Sequence, residues 1–137
     1  MKRVQKVVPA KKVEDNDGFL TKDQILQADD MIKERIEVPE WGGAVYVSTM
    51  SAAGRDEFEH DMVSVKEDGT TERNLANFRA SLCARTICNK NGKRMFHTAE
   101  DVKALGEKSA AAVERIFSVA VRINKIGKKD VEELTKN

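Results

Sequence analysis

The stretch EVPEWGGAVYVSTMSAAGRDEFE, Glu37 to Glu59, decides the fold. Entering it, Ile36 and Val38 alternate with Arg35 and Glu37; beyond the middle, Val45, Val47 and Thr49 alternate with Tyr46, Ser48 and Met50. That period of two is the mark of strands with one buried face. The connection PEWGG is longer than a two-residue turn, with Pro39 fixing the approach and Gly42 and Gly43 free to take positive φ, so an antiparallel hairpin is expected. Ser51 then ends the second strand and is a good N-cap, and Phe58, Met62 and Val65 at i, i+4 and i+7 predict an amphipathic helix that Asp68 and Gly69 break. A hairpin by itself is marginal in water, so helices must cover it.

Working outward, Thr21 and Gln24 read as a capping box with Leu20 and Ile25 as its hydrophobic staple, opening a short helix from Lys22 to Ala28. Downstream, Leu75, Phe78, Leu82, Cys83 and Ile87 predict a helix from Glu72 to Ile87. NKNGKR is a turn, Met95 and Phe96 a short extended piece, and Thr98 with Asp101 caps a helix ending at Gly106. Ser109 opens the longest helix, with Val113, Ile116, Phe117, Ala120 and Ile123 on one face and Gly127 as a left-handed cap, and Lys128 to Thr135 add a last turn or two. The expected fold is α+β and mostly helical, a small N-terminal antiparallel hairpin or sheet packed against about four helices. Residues 1–18, basic and without apolar period, read as a mobile arm, and 19–137 as a single domain.

The chain has 137 residues, enough for one modest core. Its 24 basic and 23 acidic residues leave a net charge of +1, so no whole-chain field draws it to nucleic acid or to a membrane. Lys2, Arg3, Lys6, Lys11 and Lys12 cluster in the arm, yet no aromatic is interleaved to stack on bases, which favours solubility over nucleic-acid contact. The N-terminal apolar run is too interrupted for a signal peptide and nothing approaches a membrane span. Cys83 and Cys88 stand about 140° apart on a helix, which disfavours a disulfide or a shared metal. His60 and His97 lack partners at metal-ligand spacing, and no glycine pattern cradles a phosphate, so no catalytic residue, cofactor or metal is expected.

Two features bear on binding instead. Trp41, the single Trp, either folds over the hairpin or stands out as an anchor for a partner. Val119 and Val121, outside the main stripe of the long helix, either pack under the preceding helices or belong to a sticky patch.

Taken in order, the opening helix around KDQILQADD, EVPEWGG running into VYVSTMS, RDEFE, Asn77 to Arg79, and LGEKSAAA leading into VERIFSVAVRI resemble the tail assembly chaperones of long-tailed bacteriophages, from about Leu20 to Asn137. The resemblance implies no enzyme. It implies a protein of the host cytoplasm, absent from the finished particle, that binds the tape measure protein, keeps it soluble and helps recruit the major tail protein, with self-association possible. A ribosomal frameshift near the gene's end, at Thr135, Lys136 and Asn137 or at Gly127, Lys128 and Lys129, would make a longer form that carries the tail-subunit contact. The alternative from another class is a structural virion component such as a tail terminator or a head-tail connector. Brief trypsin treatment is expected to trim residues 1–18 and leave a resistant core beginning near Phe19 or Lys22, checked by mass spectrometry; protection of Lys6, Lys11 and Lys12 equal to the core's would refute it.

Overall fold

The structure is a computed structural model that describes residues 17–73 and 77–127. The arm, except Asp17 and Gly18, falls outside the described residues, as do Leu75 and the turns expected from Lys128 onward. The chain divides into two units, Met1–Ile32 and Lys33–Asn137.

In the first unit, α1 (Lys22–Gln27) is set by the expected capping box: the Gln24 N–H donates to Thr21 Oγ1 at 3.2 Å and the Thr21 N–H to Gln24 Oε1 at 2.9 Å. The helix buries none of its residues.

The second unit opens with the expected hairpin. β1 (Lys33–Val38) pairs antiparallel with β2 (Gly43–Ser48), Lys33 opposite Ser48 through to Val38 opposite Gly43. A single 3-10 turn, Pro39–Trp41, joins them, and Gly42 closes it at φ 73 with its N–H on Pro39 O at 3.1 Å. Only one of the two glycines takes the left-handed conformation, since Gly43 already pairs with Val38. Val38 and Val47 point inward and are fully buried.

Ser51 caps α2 (Ala52–Asp61), accepting from the Gly54 N–H at 3.0 Å, and Phe58 and Met62 are buried as expected. Val65 is not part of that stripe. The chain turns at Met62 into β3 (Val63–Val65), which pairs with β4 (Thr71–Arg73), and Val65 is 73% exposed. The reason is local: the Asp68 carboxylate accepts from the Thr70 N–H and hydroxyl at 2.9 and 2.6 Å, and Gly69 sits at φ 89. That tight turn reverses the chain between β-branched residues that suit a ladder better than a helix.

The helix expected over Glu72 to Ile87 is shorter at both ends, α3 (Phe78–Thr86). Glu72 lies in β4, and Asn77 just before the helix is left-handed at φ 59, a conformation a helix cannot pass through. At the other end Ile87 turns extended and with Cys88 forms β5, Ile87 opposite Val47 and Cys88 opposite Tyr46. Cys88 is therefore a strand residue, and the sheet has three strands in the order β1-β2-β5. In place of an extended piece at Met95 and Phe96, a lone bridge joins Cys88 to Arg94; Met95 is exposed and Phe96 packs against the core.

Thr98 and Asp101 make the capping box of α4 (Ala99–Gly106), and Ser109 caps α5 (Ala110–Ile123). The left-handed residue after α5 is Lys125, at φ 54, not Gly127. The Ile126 N–H returns to Val121 O at 3.0 Å and the Lys125 N–H to Arg122 O at 3.2 Å, a Schellman ending. Burial of Ile126, 4% exposed, sets where the chain must reverse, so the lysine takes the strained position.

α3 is buried on nearly every side, through Phe78, Ala80, Ser81, Leu82, Cys83, Ala84 and Thr86. Against it lie Val113, Ile116, Phe117 and Ala120 of α5, all buried as the periodicity predicts. Phe78 stands between Phe58 and Phe117, with ring centroids 6.0 and 5.6 Å away. Phe117→Ala should therefore cost about 3–5 kcal/mol by urea unfolding. Lys125→Gly removes a left-handed penalty of about 1–2 kcal/mol and adds about 0.4–1 kcal/mol of unfolded-chain freedom, so the urea midpoint should rise by an amount equivalent to about 0.5–1 kcal/mol at constant slope.

Candidate partner-binding surface

The hairpin is fastened to α5 by two arginines seven residues apart, which places them about 10 Å apart along one flank of the helix. Arg115 grips the Glu40 carboxylate through Nε at 2.8 Å and Nη2 at 3.1 Å, and Arg122 grips Glu34 through Nη2 at 2.5 Å and Nη1 at 3.2 Å. Each is a two-point match of planar guanidinium to carboxylate, so it fixes orientation as well as distance. The Arg115 hydrogen bond holds the Glu40 carboxyl below its ordinary value of 4.5, and the two carboxylates push both guanidiniums further up. Asn124 closes the far end: its Oδ1 accepts the Met50 N–H at 2.7 Å while its Nδ2 donates to Ala120 O at 2.9 Å and Ser48 O at 3.4 Å. Apart from the Ala120 carbonyl, these partners lie 74 to 88 residues apart in sequence, farther than any local pattern reaches, and nothing in the chain marks them as pairs.

Trp41 lies in the turn that touches α5 and is half-buried against the core, its indole Nε1 buried without a hydrogen-bond partner. Val119 is half-buried on the hairpin flank of α5, between Arg115 and Arg122, while Val121 is half-buried on the opposite flank, about 200° around the helix. The fold does not bring those two valines together in one patch. Val121 also precedes the helix end as the residue whose carbonyl receives Ile126, a position whose side chain packs against Ile126's in such endings.

The larger exposed apolar groups lie elsewhere. Phe19, Leu20, Ile25 and Leu26 are 75%, 49%, 56% and 72% exposed, and Met31 and Ile32 are exposed too. A six-residue helix carrying Ile25 beside Leu26, with Phe19 and Leu20 just before it, holds more apolar surface than two turns can bury on themselves. That excess was the available signal.

Reactive groups do not converge among the described residues. No cluster of His, Cys, Asp and Glu there fits a metal ion, and His60 and His97 are both exposed. Burial, assisted by the Glu114 carboxylate, pushes the Cys83 thiol up to about 12, and burial also raises that of Cys88, so neither is a nucleophile near neutral pH. A cleft of about 560 Å³ beside Asn77, Ala80 and Gly106 is edged by the Arg79–Glu114 ion pair at 3.0 Å.

Fold and surface together define a small α+β protein whose outstanding exposed feature is apolar side chains rather than a constellation of reactive ones. The family model for phage tail assembly chaperones matches residues 21–137, and the chain belongs to that family. In fold it is similar to the solved tail assembly chaperone of bacteriophage HK97, with a TM-score of 0.50 and 18% identity over 73% of this chain and 94% of that one. No curated protein sequence matches significantly. Among the described residues no helix is long and apolar enough to cross a membrane.

Because the Glu40 carboxyl is lowered in the folded protein, its contribution to stability is present above pH 4.5 and is lost as pH falls through the folded value. An NMR titration of the Glu40 side chain should give a midpoint below 4.5, and Arg115→Met should move it upward. An unchanged midpoint in the variant would show that the clamp does not form in solution.

Proposed function

We propose that this chaperone binds the tape measure protein in the host cytoplasm, keeps it soluble, and yields it as major tail protein is recruited, without remaining in the virion. The observation that carries the reading is the concentration of exposed apolar side chains around α1 in a member of the tail assembly chaperone family. A tape measure is a long chain with apolar helical stretches, and an apolar surface on a small protein shields such stretches until tail subunits replace it. Binding is modest and reversible, because a chaperone that could not be displaced would block assembly. Trp41 with Val119 on one flank of α5, and Val121 on the other, supply additional half-exposed contacts from the helical body. Recruitment of the major tail protein runs through a longer frameshifted form, for which the gene should carry a slippery heptamer in the codons for Thr135 to Asn137 or Gly127 to Lys129.

Co-expression with the tape measure protein should shift the latter from the pellet to the soluble fraction and copurify it with the chaperone. A tape measure protein equally insoluble with and without this chain would overturn the reading.

A further inference from the structure

All the buried apolar side chains among the described residues lie at Val38 or later, within the second unit. The first unit holds a helix preset by a capping box, with Phe19, Leu20, Ile25 and Leu26 all exposed. Its charge is as distinctive as its apolarity. Asp23, Asp29 and Asp30 are exposed around these side chains and Lys22 is the one cation from Phe19 to Ile32, a local charge of −2 in a chain whose total is +1.

We infer that Phe19–Asp30 is an acidic-edged apolar hook for an amphipathic helix whose apolar face is bordered by lysine or arginine. This rests on the reading of the protein as a tape measure chaperone and names the chemistry of the stretch it selects. Apolar contact supplies the attraction, and the aspartates supply the choice, since opposite charges at the rim favour one partner and like charges reject another. A second copy of the hook is a poor occupant because it would bring the same aspartates together.

The test uses the full chain and two synthetic amphipathic helical peptides with an identical leucine face, one bordered by lysines and the other by glutamates. Fluorescence anisotropy should show the lysine-bordered peptide bound about tenfold tighter or more. The chain's net positive charge would produce the opposite bias, so the preference reports the local aspartates. Ile25→Ser with Leu26→Ser should lose binding of both peptides with an unchanged melting curve, and Asp29→Lys with Asp30→Lys should reverse the preference. Equal binding of the two peptides, a preference for the glutamate-bordered one, or retained binding by the serine variant would each overturn the inference. So would a rise of about tenfold in affinity on deleting residues 1–16, which would make the basic arm the occupant. If wild type solubilises the tape measure protein and the serine variant does so equally, the hook fails while the chaperone reading stands; if wild type itself does not, the chaperone reading fails.

Discussion

Everything in the helical body is arranged around α3, a helix short of large side chains. Ala80, Ser81, Cys83, Ala84 and Thr86 are small enough for neighbouring elements to approach closely on several sides at once. The approach is near enough for the Cys83 thiol to lie 3.6 Å from the Val113 carbonyl of α5. The polar atoms this buries are satisfied inside the helix or across to the sheet: the Thr86 hydroxyl donates to Leu82 O at 2.9 Å and the Thr86 carbonyl accepts from Ser48 at 3.3 Å. The two charged ends of α3 reach outward, Arg79 to Glu114 and over the Phe117 ring, Arg85 to both Glu57 and Asp61 of α2. A larger residue at the fully buried Cys83, Ala84 or Thr86 would push a neighbouring element away, because a close-packed interior has no spare volume.

The sheet depends on that same centre. β5 is only the two residues that continue α3, yet it gives β2 a second neighbour and ties the hairpin to the helices through the chain itself. The Arg115 and Arg122 clamps and the Asn124 bridge then hold the hairpin along α5. Exposed ion pairs add little stability singly, so their role is orientation: they select one angle for a ribbon that apolar contact alone would hold less specifically.

A body closed in this way leaves its apolar surplus outside the core. On the proposed chaperone reading, residues that stabilise the core and residues that meet a client are different ones. Phe58, Leu82 and Ile116 are fully buried, whereas the large apolar side chains around α1 are exposed.

What the sequence determined by itself is what neighbours in the chain decide. The hydroxyl caps at Thr21, Ser51, Thr98 and Ser109, the hairpin though not the end of its second strand, which stops at Ser48 instead of running to Met50, and the buried Val113, Ile116, Phe117 and Ala120 of α5 were legible because each is a match between a residue and others within a few positions of it. Family membership was legible for a related reason, since it rests on an ordered series of such local phrases. Tertiary structure decided the rest. Ile87 fits a helix stripe or a strand equally well, and only the open edge of β2 resolves it. Lys125 holds a place that local preference would give to glycine, because burying Ile126 outweighs the strain. Glu34 finds Arg122 only once α5 lies against the hairpin. The exposure of Ile25 and Leu26 is likewise a tertiary fact, since burial is a property of the whole packed volume and not of any one segment.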